Sequence, residues 1–184
     1  MAKDSQSKPT LGNERPDIGS MIRVNQAGEY GAAQIYKGQL AVMGEDAPDS
    51  SAIHLMAEQE QRHLDAFDRM IVERNVRPTA LQPFWKVAGY ALGAGTAIMG
   101  PRAAMACTAA VETEIDLHYQ EQMEQLADAD EPELLGKIAE FREEELEHKQ
   151  TAIDSGAEET FGYPVLSAAI RLGCKLAIGL SKRI

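Results

Sequence analysis

The stretch FREEELEHKQ at residues 141–150 sets four glutamates beside one histidine. Carboxylate and imidazole are the side chains that ligate iron, manganese or zinc and that exchange protons near neutral pH. Charge density alone would place the whole stretch on a solvated helix face. Helical spacing divides it. Leu134, Ile138, Phe141, Glu145, His148 and Ala152 follow steps of three and four along one line, while Glu143, Glu144 and Glu147 fall off that line. The spacing predicts that Glu145 and His148 point inward and that the other three glutamates face water.

Three more segments repeat the pattern. One apolar line reads Ile22, Gln26, Glu29, Ala33, Tyr36, Leu40, Met43; a second reads Ile53, Met56, Glu60, His63, Phe67, Met70; a third reads Met105, Thr108, Glu112, Ile115, Tyr119, Met123, Leu126. Each line carries one glutamate, and two add a histidine three residues later. The order is Glu, Glu-x-x-His, Glu, Glu-x-x-His, as though one helix pair were used twice. With four histidines in the chain, a single Glu-x-x-His would be unremarkable. Two of them, both on apolar lines and at matching places in a repeat, are not.

Burial of these groups needs compensation. An unpaired buried carboxylate costs several kcal/mol even after relaxation, so four would rival the ~5–15 kcal/mol that holds a typical domain together. No arginine or lysine falls on the four lines, with Arg74 near one helix end the nearest exception. Two divalent cations would balance four carboxylates, with two neutral imidazoles completing the set. Carboxylate and imidazole without thiolate suit iron or manganese better than zinc. This ligand arrangement is that of ferritin-like carboxylate proteins.

Four long helices must carry these residues, and the rest of the chain supports them. A length of 184 residues suits one domain. Aromatics are only 5% of residues, and Ala, Leu, Glu, Gln and Met dominate over β-branched runs, which favours an all-α chain. Residues 1–19 read as a disordered lead without a signal or transit pattern, and 20–184 as one domain. Helices are expected over about 20–44, 49–74, 101–127 and 132–155, with an apolar insert at about 84–100 and a final helix at about 164–182. Net charge is −11, which argues against a nucleic-acid partner. Cys107 and Cys174 form no CxxC, so neither a disulfide framework nor a zinc ribbon is expected.

The apolar elements raise the question of a membrane. The uncharged run Val87–Pro101 is shorter than the ~20 residues of a spanning helix. It reads as buried core or as an interfacial segment. The final helix puts Val165, Ala169, Leu172, Leu176 and Leu180 on one line and Arg171, Lys175, Lys182 and Arg183 off it. That pattern fits a helix lying on an anionic bilayer and equally an ordinary docked terminal helix.

Four stretches, RVNQAGEYGA (23–32), RPTALQPFWKVAGYALGAGTAIMG (77–100), AMACTAAVE (104–112) and EELEH (144–148), closely resemble the demethoxyubiquinone hydroxylase family. The resemblance runs from about Ser20 to the C-terminus and includes the apolar insert. It implies a ferritin-like four-helix bundle with an inserted apolar helix and a membrane-associating C-terminal helix. It implies two irons per subunit on Glu29, Glu60, His63, Glu112, Glu145 and His148, with Glu60 and Glu145 bridging, the same six that the periodicity selects. It suggests a role in electron or proton transfer for His118 and Tyr119. The implied reaction adds a hydroxyl from O₂ to the ring of a polyprenyl demethoxyubiquinone or its quinol, with NADH or quinol as external reductant and other ubiquinone-biosynthesis proteins as accessory partners. The implied location is peripheral, on the cytoplasmic face of a bacterial membrane, or on the mitochondrial inner membrane if a presequence has been removed. An iron-storage or peroxide-scavenging relative would use the same ligands but would need neither apolar element. A tRNA hydroxylase is disfavoured by the charge. A non-enzymatic membrane-surface module is disfavoured by the intact six-residue set.

Overall fold

The computed structural model describes residues 16–184. They form α1 (Ile18–Met43), α2 (Ser50–Glu73), α3 (Gln82–Ile98), α4 (Pro101–Leu126), α5 (Pro132–Asp154) and α6 (Tyr163–Ser181), with a 3-10 turn at Ala157–Glu159 before α6. No strand occurs among the described residues, and the architecture is the expected all-α, ferritin-like bundle. Most of the expected lead lies outside the described residues. Its last residues depart from the expectation: Asp17 accepts a hydrogen bond from the Ser20 amide at 2.9 Å, and this cap starts α1 at Ile18.

Local chemistry sets the other boundaries. Pro101 and Pro132 open α4 and α5, where a missing N–H costs no helical bond. After α2, Asn75 turns left-handed at φ 52°, and the Val76 amide returns to the Ile71 carbonyl at 2.9 Å. Gly100, at φ 119°, takes the reversal between α3 and α4 that a side chain would resist.

Two apolar clusters mark the ends of the bundle. One gathers Ile22, Phe67, Leu126, Ile138 and Phe141; the other gathers Tyr36, Ile53, Met56, Met105 and Ala152. α1 and α5 start at the first cluster, whereas α2 and α4 start at the second. Thus α1–α2 and α4–α5 are antiparallel hairpins, and α3 carries the chain back between them alongside α1. The charged residues of the four apolar lines lie midway between the clusters.

Three glycines allow α3 to lie directly on α1. A Cβ at Gly93 would sit 1.9 Å from the Ile35 carbonyl oxygen, one at Gly38 would sit 2.2 Å from that of Tyr90, and one at Gly89 2.8 Å from that of Gly31. Each obstacle is backbone and cannot swing aside. Gly93→Ala is therefore expected to push α3 off α1 and to cost ~1–3 kcal/mol, the usual range for overpacking. A lowered thermal midpoint by circular dichroism is the expected reading, and an unchanged midpoint would refute this account of the contact.

The outer faces of α3 and α6 remain apolar. Phe84, Val87, Ile98 and Met99 are exposed on or beside α3, and Val165, Leu172, Leu176 and Leu180 are exposed on α6. The apolar line of α6 is thus left uncovered by the bundle core, unlike that of an ordinary docked helix, although Ala169, Leu176 and Leu180 also edge an apolar cavity between α6 and the bundle. One expectation for α6 is corrected. Arg171 is not a free surface cation: its Nε meets Glu114 Oε1 at 2.5 Å, and Lys175 Nζ lies 3.7 Å from Glu114 Oε2. Glu114 is buried on α4, so its charge draws both cations inward. Arg74 likewise serves no buried carboxylate; it pairs with Glu131 and Glu133 at the helix ends.

Candidate metal centre

Glu29 on α1, Glu60 and His63 on α2, Glu112 on α4, and Glu145 and His148 on α5 are all buried in one chamber. They arrange as two quartets. Glu29, Glu60, His63 and Glu145 can each bring one donor atom within 4.8 Å of the others, and so can Glu60, Glu112, Glu145 and His148. Glu60 and Glu145 belong to both. The structure therefore brings all six sequence-selected residues together and shares two carboxylates between the halves.

The donors fit a cation. Glu29 Oε2, both Glu60 oxygens, His63 Nδ1, Glu112 Oε2 and Glu145 Oε1 are buried without a hydrogen-bond partner; among the described residues the only other such side-chain atoms are Gln26 Oε1, Gln39 Oε1 and Thr160 Oγ1. Unpartnered buried polar atoms are rare and need an explanation, and here two-thirds of them converge on one place. The chamber is able to hold metal.

Both histidines turn Nδ1 inward. His63 Nδ1 lies 3.0 Å from Glu145 Oε1 and 3.6 Å from Glu29 Oε2; His148 Nδ1 lies 3.1 Å from Glu145 Oε2 and 3.4 Å from Glu60 Oε1. Their outer nitrogens are held across the bundle. His63 Nε2 lies 3.1 Å from Glu144 Oε2 on α5, and His148 Nε2 lies 2.9 Å from Gln59 Oε1 on α2. An N–H at each Nε2 donates to these oxygens, which leaves Nδ1 free to ligate. Glu144 thus departs from the expected solvated face. Its side chain is only 20% exposed, and it also accepts from Arg62 at 2.9 Å.

Two tyrosines cross in the same way. Tyr36 on α1 donates to Glu112 Oε1 on α4 at 2.8 Å, and Tyr119 on α4 donates to Glu29 Oε1 on α1. Each stands two helical turns beyond the glutamate of its own helix. His118 is buried as well, but outside the chamber. Its Nε2 accepts from Gln122 Nε2 at 2.8 Å, and Gln122 exchanges amide hydrogen bonds with Asn25 at 2.9 and 2.8 Å. Burial, helped by the charge of Lys182, pushes the His118 imidazole down to about 4, so it is neutral at physiological pH.

Protonation follows from crowding four carboxyls in a dry chamber. Burial, and then the negative charge of Glu145, push Glu60 and Glu112 well above the usual carboxylate range. Burial works against charge on Glu145 too, but the hydrogen bonds and charge of His148 and His63 outweigh it and hold that carboxyl down at about 2. Burial likewise opposes a charged His63, yet Glu145 and Glu29 lift it to about 10. Both tyrosine hydroxyls are pushed well up, first by burial, and stay hydrogen-bond donors.

Behind α1 and α4 lies an apolar cavity of about 640 Å³, walled by α1, α3, α4 and α6. Its charged lining residue is Glu114, already paired with Arg171. Trp85, the one tryptophan of the chain, lines it and donates to Ser181 Oγ at 3.1 Å.

Fold and site together define a ferritin-like protein built around a chamber of carboxylates and imidazoles. The chain belongs to the family described as ubiquinone biosynthesis protein COQ7, which matches residues 16–181. It is 50% identical over 167 residues to the 3-demethoxyubiquinol 3-hydroxylase of Rhodospirillum rubrum, covering 91% of this chain and 78% of that protein. It is 47% identical over 178 residues to the mitochondrial NADPH-dependent 3-demethoxyubiquinone 3-hydroxylase of Mus musculus, covering 95% and 82%. It is 39% identical over 180 residues to the mitochondrial 5-demethoxyubiquinone hydroxylase of Saccharomyces cerevisiae, covering 89% and 77%. The protein is an oxidoreductase of the hydroxylating, monooxygenase type.

Proposed function

We propose that this protein hydroxylates the ring of a polyprenyl demethoxyubiquinol at a membrane surface, using O₂ and two irons held by Glu29, Glu60, His63, Glu112, Glu145 and His148. The observation that carries this reading is the pair of buried quartets sharing Glu60 and Glu145, set beside an apolar cavity. In this reading Glu60 and Glu145, common to both quartets, would be shared between the two irons, Glu29 and His63 would help hold one, and Glu112 and His148 the other. When bound, the iron pair supplies the redox chemistry that O₂ activation demands.

The chain's own residues do the rest. Tyr119 and Tyr36 each occupy one oxygen of Glu29 and Glu112, leaving the second oxygen for the metal. Glu144 and Gln59 keep the Nε2 proton on each histidine. The apolar clusters above and below the chamber exclude water, which protects a reactive centre from side reactions. The hydrogen bond from Tyr119 to Glu29 supports a role for this tyrosine in passing a proton or an electron at that carboxylate. His118 stands behind it on the Gln122–Asn25 pair. The reductant is external: NADPH in the name of the mouse relative, and NADH or quinol in the expectation for this chain.

The exposed apolar faces of α3 and α6 support docking on a bilayer, with Lys86, Lys182 and Arg183 able to meet anionic headgroups. α6 is long and apolar enough to cross a membrane, with a mean hydropathy of 1.3. Its ties favour lying flat instead. Arg171 is anchored on Glu114, and near its end the Lys182 carbonyl accepts from Ser20 Oγ at 3.2 Å. A cavity of this size takes a quinol ring and part of a tail, with the remainder of the tail left in lipid.

The test is single-turnover oxygenation. Protein loaded with Fe(II) without air would receive demethoxyubiquinol in detergent and isotope-labelled O₂. The expected product is heavier by one labelled oxygen on the ring. Bound iron with no hydroxylated quinone would turn the assignment towards iron storage or peroxide scavenging.

A further inference from the structure

The cavity and the chamber lie on opposite sides of the same two helices, and at one place a glycine of α1 faces an isoleucine of α4 across the seam between them. We propose that the quinol ring reaches the metals through the α1–α4 seam at Gly28 and Ile115, and that the missing side chain of Gly28 sets the width of that passage. The inference rests on the hydroxylase reading above and adds to it the residues that admit the ring.

The helix packing leaves room for such a seam. α1 packs chiefly on α2 and α3, and α4 chiefly on α5 and α6; the two meet each other only along a short stretch. From α1 the cavity is lined by Val24, Gly28, Gly31 and Ala32, and from α4 by Val111 and Ile115. Gly28 immediately precedes Glu29. Ile115 stands one turn beyond Glu112, and its side chain packs against both the core cluster that contains Tyr119 and the cluster beneath α6. One isoleucine therefore lines the cavity and also packs against the core cluster to which Tyr119, the partner of Glu29, belongs.

The glycines of α1 fall into two kinds. Gly38 faces α3 so closely that any side chain would collide with backbone. At Gly28 an added Cβ would meet only Ile115 Cδ1, at an ordinary 3.7 Å, and at Gly31 it would meet nothing within 4 Å. Their φ angles are helical, so no turn requires glycine at either position. A mid-helix glycine costs ~0.5–1 kcal/mol relative to alanine, and packing does not explain that cost at Gly28. What its absent side chain provides is open space, facing one movable isoleucine, beside a ligand carboxylate.

Gly28→Leu, Gly28→Leu/Ile115→Ala and a control, Gly136→Leu, test this. Gly136 is an exposed α5 glycine with open space around it, far from the cavity lining. Three quantities are read: bound iron, quenching of Trp85 fluorescence by a decyl-tailed benzoquinone, and kcat. The expected result for Gly28→Leu is wild-type iron content and quenching, with kcat lowered by about a hundredfold, as a misplaced reacting ring costs. Trimming Ile115 in the double variant is expected to restore at least about a tenth of the wild-type rate, and the control is expected to match wild type. A Gly28→Leu enzyme with unchanged kcat overturns the passage while leaving the hydroxylase reading intact. Loss of quenching together with activity also overturns it, because Gly28 would then belong to tail binding. Loss of iron, or a double variant with no recovery, overturns it as well. A wild type that binds iron and makes no product defeats the hydroxylase reading, and the passage with it.

Discussion

Glu145→Ala is expected to empty both metal positions at once. Glu145 belongs to both quartets; its Oε1 lies 3.0 Å from His63 Nδ1 and its Oε2 3.1 Å from His148 Nδ1. Removing it takes one donor from each position and the charge that balances both histidines. Loss of outer-shell partners alone costs ~10–100-fold in metal affinity, so loss of a shared ligand is expected to exceed about a hundredfold at each position. Glu29→Ala, by contrast, removes a donor from one quartet only and is expected to leave about one metal in place. Metal counting on the two variants separates the cases, with helicity followed by circular dichroism. If Glu145→Ala retained two metals, the shared-carboxylate arrangement would be wrong.

The second large effect is a reversal of pH dependence by metal. In the metal-free protein, Glu60 and Glu112 have carboxyls raised by burial and by Glu145. Their stabilisation is therefore complete below the ordinary carboxylate pKa and is lost as pH rises towards their raised values, at a limiting slope of about 1.4 kcal/mol per pH unit for each group. His63, lifted to about 10, adds a loss of the same sign once pH passes its ordinary value of 6.5. Glu145, held at about 2, is fully ionised across this range and loses its contribution only in strong acid. Every slope from the chamber groups between mildly acidic and mildly alkaline pH thus has one sign. His118, held at about 4 by burial, opposes them with a single group below 6.5, so the chelator-treated protein is expected to melt at lower temperature as pH rises, most steeply above 6.5. The loaded protein reverses this. Metal binding displaces the protons on Glu60, Glu112 and His63, so acid competes with the metal and stability rises with pH. Melting curves of both forms from about pH 5 to about pH 8 are expected to diverge. Parallel curves would show that these carboxyls are not proton carriers in the free protein.

The six chamber residues were legible because their chemistry conflicts with their periodicity. A glutamate on an apolar helical line is conspicuous, and four at repeating places are more so. Their partners were not legible in the same way. Tyr36 occupies a core position that any tyrosine could fill, and only its bond to Glu112 on α4 reveals a second task. Gln59 and Glu144 lie beside the line, and a single sequence does not say that each crosses to the other hairpin. The one signal was relational: both immediately precede the glutamate of a Glu-x-x-His motif. The bundle itself followed from helix length and composition. The orientation of α6 did not, because an apolar line reads alike whether protein or lipid covers it. Arg171 looked like a surface cation because its anchor, Glu114, is a buried acid on another helix.

The crossed contacts around the chamber make neither hairpin self-sufficient. Tyr36 and Gln59 on the first serve Glu112 and His148 on the second, and Tyr119 and Glu144 on the second serve Glu29 and His63 on the first. Equivalent positions exchange equivalent services, which is the contact rule of a two-fold dimer, in which residue i meets j and j meets i. Neither hairpin carries the partners of its own ligands, so the centre exists only where the two pair. The exchange is symmetric in position but not in chemistry, with an amide at 59 and a carboxylate at 144. A substitution at Tyr36, Gln59, Tyr119 or Glu144 is first felt at a histidine or glutamate of the other hairpin.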